Sequence, residues 1–383
     1  MSRFSSLASR LQRGLTLIEL LVALVIGLVV TLAVTSIVSV GEGQKRSTTS
    51  TNDMNQTGAY AAYVLDRVIR NAGSSFTQTL QPVDRGVFGC KLNAAAVLPA
   101  AAFPTPFKTK FLTGSTTDLR VAPVLIGKNL SDTGSDVLVV MSGDAVAGGV
   151  PRGLTDPGSA TTLSMDNTVG IAVGDLVLVS QNGTADCLIE QVSATATKVL
   201  TLGGKYYTAG KTTSLESLAS SNSTFVTPLG NPANNNIQFH LYGVGDNRTL
   251  VNYDLLQGSG NVAQAIADGV AEMHAIYGLD TTGDGKLDAW ADPGALGYDI
   301  KTVMAKPATM KQIIAVRVAL VMRSTSKERD LVSPTKLTLF SGYEDAAKTS
   351  LAQTVTLSAA DDQYYRYRVV EFTIPLRNML LLP

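Results

Sequence analysis

Histidine and cysteine are nearly absent, and charge is scarce. The 383 residues hold two His, two Cys and one Trp, and only 16% carry charge, while 45% are hydrophobic. Cys90 and Cys187 are far apart and form no CxxC pair. That spacing argues against zinc, which takes clustered ligands. In an oxidising compartment the two could instead close one long-range disulfide. His240 and His274 have no clustered Cys or His neighbour, and no GxSxG marks a nucleophilic serine, so no triad is in view. The formal net charge is zero, with 31 basic and 31 acidic side chains. Arg3, Arg10 and Arg13 fall in the first fourteen residues, which have no acid. Setting those three aside leaves 28 basic against 31 acidic side chains, too few for a basic nucleic-acid footprint.

What the chain does have is one long apolar run. From Leu15 to Val40, about 26 residues, Glu19 is the only charge. A helix of about 20 apolar residues spans a bilayer. Its Thr and Ser hydroxyls are tolerable there, because they can bond back to the helix. The basic residues precede the run, which favours a cytoplasmic start and an outward-facing remainder. A secretory signal peptide fits less well: the run exceeds 7–15 residues, and no small-x-small site follows it.

Arg13-Gly14-Leu15-Thr16-Leu17-Ile18-Glu19-Leu20 resembles the type IV prepilins, whose short basic leader ends in Gly before an apolar residue and Thr-Leu-Ile-Glu-Leu. Leu15 stands where Phe or Met is more usual. The resemblance implies cleavage after Gly14 and N-methylation of the new Leu15 amine. It also implies a role for Glu19. Carboxylates in a membrane are rare and usually paired. Glu19 of one subunit could meet the Leu15 amine of its neighbour, which offsets desolvation and fixes axial register. The other reading is a carboxylate near the inner interface.

Beyond Val40 the sequence turns polar, then Ala61, Val64, Leu65, Val68 and Ala72 recur at helical spacing, with Gly73 as a C-cap. One helix over 15–72 is expected, its 15–40 part transmembrane, after a leader at 1–14. The remainder, 73–383, reads as a β-rich head, one elaborated domain or two subdomains. The fold class is α+β, pilin-like. Strands are expected at 136–141, 175–180, 187–192, 313–323 and 365–376, with a hairpin from 237–244 and 248–256. Residues 270–277 could be strand or helix. The Ala/Pro-biased 92–107 reads as a surface excursion. The closing "RVVEFTIPLRN" (Arg368–Asn378), with "AVRVALVMRS" and "YGLDTTGDGKLDAW" before it, resembles PilW-type minor pilins, relatives of the J-type pseudopilins of type II secretion. The middle, about 75–235, carries no recognisable motif.

The head has one candidate metal site. Asp280, Thr282 and Asp284 take positions one, three and five of a calcium loop, with Gly285 at six, the Lys286 carbonyl at seven and Asp288 at nine. Position twelve is Ala291 instead of Glu, and Asp292 comes one residue late. An Asp/Gly turn held by its own side chains is the alternative. "GGKYYTAGKTT" at 203–213 misses Walker spacing, since Gly204 is one place too early. Tyr364 to Arg368 alternates aromatic and basic residues, but a strand would split them between two faces.

These readings imply a non-enzymatic minor pilin that helps initiate or cap a type IV pilus. The alternatives are a type II secretion pseudopilin, or a pilus-tip adhesin or DNA-uptake component. Expected partners are other minor pilins and the major pilin, prepilin peptidase, the inner-membrane assembly machinery, and lipid before assembly, with no direct nucleic-acid binding. Before assembly the chain would cross the bacterial inner membrane once with its head in the periplasm, and afterwards lie on the pilus. Ca2+ is the expected ligand. A periplasmic head would also put Cys90 and Cys187 where a disulfide forms; two separate buried cysteines are the alternative. Mass spectrometry of the N-terminal peptide should find a methylated Leu15 as the mature start. An intact Met1 start, or cleavage beyond Val40, would remove the prepilin reading.

Overall fold

The computed structural model describes residues 16–76, 87–93, 103–111, 119–144, 148–181, 186–207, 214–220, 223–234, 237–257, 260, 262–357 and 361–381. Two compact units are resolved, one up to Asn52 and one from Asp53 onward. The helix α1 runs from Leu17 to Arg70. In the first unit its apolar side chains are exposed, Leu17 at 81% and Ile37 at 71%.

In the second unit the same helix buries Met54, Gly58, Ala61, Leu65, Val68 and Ile69, and Ala72 in the turn after it is buried too. Steps of three and four residues put these on one stripe. The stripe differs from the expected one: Ile69 joins it, and Val64 is only half-buried. Gly58 permits the closest approach, since a Cβ there would lie 3.3 Å from the Met322 side chain and 3.5 Å from Val370. The helix ends at Arg70, two residues before expectation, and Gly73 has φ 78° and donates its N–H to the Met141 carbonyl.

The head then builds strand by strand. β1 (Lys91–Asn93), β2 (Val124–Gly127) and β3 (Val137–Ser142) come first. Next are β4 (Arg152–Asp156), β5 (Thr162–Met165), β6 (Leu176–Gln181), β7 (Asp186–Thr195) and β8 (Val199–Leu202), then the single turn α2 (Leu215–Leu218) and β9 (Thr224–Gly230). β10 (Gln238–Gly245), β11 (Thr249–Asp254) and β12 (Gln264–Asp268) follow. The last third holds β13 (Val270–Leu279), β14 (Ala289–Ala291), the short helices α3 (Ile300–Ala305) and α4 (Pro307–Gln312), β15 (Ile313–Arg323), β16 (Lys336–Leu339), β17 (Gln353–Thr356) and β18 (Tyr367–Pro375). The expected strands are all present. The ambiguous 270–277 run is strand, and the hairpin at 237–256 is β10 with β11.

Three sheets explain the apolar runs. β14, β13, β15 and β18 form one antiparallel sheet, in that order. One face of β15, with Val316, Val318, Leu320 and Met322, joins the main core with the α1 stripe. Its other face, with Ala319 and Val321, lies under Leu339, Phe340 and Val355 of the β16–β17 region. A strand covered on both faces has no polar side to alternate with, so its sequence reads as a continuous apolar run. The second sheet has the order β12, β11, β10, β3, β2.

The third sheet closes on itself. β6 pairs with β7 and β9, β9 with β4, β4 with β5, β5 with β8, and β8 with the far end of β7. The six strands β4 to β9 thus make a small antiparallel barrel. Leu163, Met165, Val177, Val179, Leu188, Leu200 and Val226 are among its core, and α2 adds Leu215 and Leu218. The alternate residues Leu176, Leu178, Cys187 and Ile189 belong to the main core. This barrel is the part of the chain whose sequence carried no motif.

β1 pairs in parallel with β7, and Cys90 forms a disulfide with Cys187. Their separation of 97 residues closes a long loop. In the chain-entropy account such closure contributes ~4–5 kcal/mol through the unfolded state. The surface-excursion reading of 92–107 is corrected at both ends. Leu92 is buried, and Phe107 is buried against Phe111 and Tyr253. Residues 94–102 lie outside the described residues.

The capped apolar helix and the acidic loop

Thr16 and Glu19 make a capping box. The Glu19 carboxylate accepts from the Thr16 N–H at 3.0 Å and from its hydroxyl at 2.9 Å, and the Thr16 hydroxyl oxygen accepts the Glu19 N–H at 3.3 Å. A helix starts with unsatisfied N–H groups, and this reciprocal pairing is a standard way to satisfy them. Thus Glu19 has a local partner in the single chain. Gly14 and Leu15, the expected cleavage and methylation positions, lie outside the described residues.

The following span has a mean hydropathy of 2.9 over its best 18 residues, and none of that window is buried inside the structure. A buried core helix of the same composition would be covered. Thr31 donates to the Gly27 carbonyl, Thr35 to Thr31, Ser36 to Ala33 and Ser39 to Ser36. Every hydroxyl expected to bond back from Thr31 onward therefore does so, which lowers its cost in hydrocarbon.

The acidic loop follows β13. Asp280 accepts from the N–H groups of Gly283 at 2.6 Å and Gly285 at 2.7 Å, and more distantly from Thr282 and Asp284. Desolvation raises its pKa, but the Gly285, Gly283 and Asp284 amides outweigh this and hold it below the usual carboxylate range. Asp288 accepts from the N–H and hydroxyl of both Thr281 and Thr282, and these bonds lower its pKa as well. Two carboxylates therefore converge on Thr282. Asp284 is taken up by the Lys286 N–H and ammonium. Asp292 does not join the loop. It pairs instead with Lys128 at 2.5 and 2.7 Å. Among the described residues no three acidic, His or Cys side chains gather as a metal site. Calcium takes six to eight oxygens, so the side chains as folded supply only part of a shell.

The other residues singled out in the sequence are engaged in packing. Arg323 stacks on Tyr365 with its guanidinium carbon 3.6 Å from the ring centroid. Arg366 bonds Glu328, and Arg368 bonds Asn55 on α1 at 2.5 Å. Only Tyr367 and Arg368 of that run lie in β18; Tyr364 and Tyr365 precede it in a turn. Lys205 donates to the Gln257 carbonyl at 2.7 Å, while 208–213 lie outside the described residues. His240 sits beside Tyr242 and 4.0 Å from Asp254.

Sequence reasoning missed one buried charge cluster. His274 on β13 bonds Glu272 at 2.9 Å and lies 3.5 Å from Asp136, a carboxylate with no exposed surface. Asp136 also accepts the N–H groups of Asn129 and Ala275, joining the β2–β3 connection to β13. The i, i+2 spacing of Glu272 and His274 was the available signal, but Asp136 is far away in sequence.

Comparison with known families bears on both ends of the chain. Residues 9–39 match the prokaryotic N-terminal methylation motif, and residues 238–378 match Type IV Pilus-assembly protein W. No curated protein and no solved structure matches the chain. Both matches, together with the exposed apolar span and the capped Glu19, support a type IV prepilin-like minor pilin. Within that class its last third is of the PilW type.

The buried His274 cluster gives the head a pH dependence. Burial opposes charge on His274, but Asp136 and Glu272 outweigh it and push the pKa from 6.5 up to about 9. A raised folded pKa means the stabilisation is complete below about 6.5 and is lost as pH rises through about 9. Thermal melts should therefore show a falling midpoint between these values, and His274→Gln should flatten that slope. An equal slope in both proteins would refute the assignment.

Proposed function

We propose that the chain is a structural, non-enzymatic subunit that helps initiate or cap assembly of a type IV pilus. The observation that carries this is the exposed apolar span whose only charge between Leu15 and Val40 is Glu19. A lone carboxylate in hydrocarbon is costly unless paired. The capping box supplies an internal partner for the separate chain, and a neighbour's N-terminal amine would supply a stronger one within a filament. Cleavage after Gly14 creates that amine at Leu15. In this reading the head faces the periplasm, and the partners are other minor pilins, the major pilin and the assembly machinery. The match at 238–378 favours the pilus over the secretion pseudopilins.

Glu19→Ala tests the pairing. Removing a charge should leave membrane insertion intact and reduce the variant's share of sheared filaments roughly tenfold, about 1.4 kcal/mol in the pairing. Normal incorporation would count against it. Deleting the gene separates the alternatives, since a pilus subunit should cost piliation and a pseudopilin should cost protein export.

We also propose that the 280–288 loop takes Ca2+, with Asp280, Thr282, Asp284, Asp288 and the Lys286 carbonyl as candidate donors. What supports this is two like charges converging on Thr282, which a cation would neutralise. Binding would draw Asp280 and Asp288 away from backbone amides that they now accept. At calcium ~10-fold above Kd the fold should gain roughly 1.4 kcal/mol, readable as a higher melting temperature. Asp280→Ala should abolish that gain. Identical melts in calcium and in chelator would leave an acidic turn with no metal.

A further inference from the structure

The barrel is an insertion into another sheet. β3 and β10 are hydrogen-bonded neighbours, with Ser142 opposite Gln238. The chain therefore leaves the five-stranded sheet after Ser142 and returns beside the same point. Between them lies a barrel with its own apolar core. The match to Type IV Pilus-assembly protein W begins at residue 238, where the chain re-enters that sheet.

The seam between barrel and head is the short segment around β1. On one side Leu92 stands opposite Cys187 in the parallel ladder with β7. On the other, the Gly89 N–H donates to the Val121 carbonyl, the Val121 N–H to Cys90, and the Leu92 N–H to Leu119. That second side leads directly into β2. Cys90–Cys187 crosses this seam, linking the β1 segment covalently to the barrel wall. The ladder it reinforces is only three residues long. Other attachments among the described residues are the outward side chains Leu176, Leu178 and Ile189, the bonds from Lys205 and Tyr206 after β8 to the carbonyls of Gln257 and Leu256 after β11, and the two connecting segments, joined by the bond from the Asp144 N–H to the Leu229 carbonyl.

We propose that Cys90–Cys187 is a latch: oxidised, it clamps the inserted barrel to the pilin head, and reduced, it lets the seam open while barrel and head each stay folded. A dithiol reductant supplies two electrons and two protons, leaves as its own disulfide, and converts Cys90 and Cys187 to thiols. The opening unit is the β1–β7 ladder with the outer faces of β6 and β7. The closed ring β4 to β9 keeps its internal pairings, since none of them depends on β1.

Amide hydrogen exchange on the full chain in detergent micelles reads this directly, with and without dithiothreitol, alongside a Cys90→Ser, Cys187→Ser double variant. The expected result is exchange roughly tenfold faster or more at 87–93 and 119–121 in both arms. The pairings within β4–β9 and within β13, β15 and β18 should keep their protection. No acceleration at the seam in the double variant would overturn the latch. So would acceleration that spreads through β13, β15 and β18, because the bond would then stabilise the whole head and not one joint.

Discussion

The head depends on how closely α1 lies on the sheet of β13, β15 and β18. Gly58 sets that distance, because even a methyl group there would press on Met322. Around it Ala61, Leu65 and Ile69 are fully buried. Burying a side chain such as Leu65 contributes about 1.5–3 kcal/mol each. Polar contacts fix the alignment: Arg368 bonds Asn55, and the Asn378 amide donates to the carbonyls of Asn71 and Ala72 at the helix end. A helix end without such donors would leave carbonyls unsatisfied.

One helix thus carries two surfaces written in different codes. From Leu17 onward the apolar residues go all round and stay exposed, which suits hydrocarbon or a ring of like helices. From Met54 the apolar residues narrow to a stripe that suits a sheet. The change of code lies in the polar stretch after Val40.

Much of this was legible because it is local. The span, the Thr16-x-x-Glu19 pattern and the doubly covered strand β15 each declare themselves within a few residues. The hairpin of β10 and β11 does too, helped by Asn247 and Arg248, both with φ near +60°. Of the barrel, β6 and β7 were legible as short apolar runs, but its closure was not, because that rests on pairings between distant strands, such as β4 with β9 and β5 with β8. Its threonines and glycines look like loops until the ring closes. Phe107 was misread for a related reason, since Ala and Pro around it suggested surface while Tyr253 waited far along the chain to cover it. The partner of Asp292 was hidden for the same reason, since spacing alone cannot show Lys128, 164 residues earlier.

The long reach of the α1 docking has a consequence for synthesis. Asn55 and Arg368 are 313 residues apart. A chain made from its N-terminus offers the α1 stripe long before β15 and β18 exist to cover it. The barrel can close earlier, because all six of its strands lie between 152 and 230. Domains generally fold as units in the order they emerge, and contacts across such separations form late. The insertion is therefore complete while its host is still unfinished, and the stripe stays bare until nearly the last residue is made. A cell that needs a finished head must shield that stripe for most of the time the protein takes to be born.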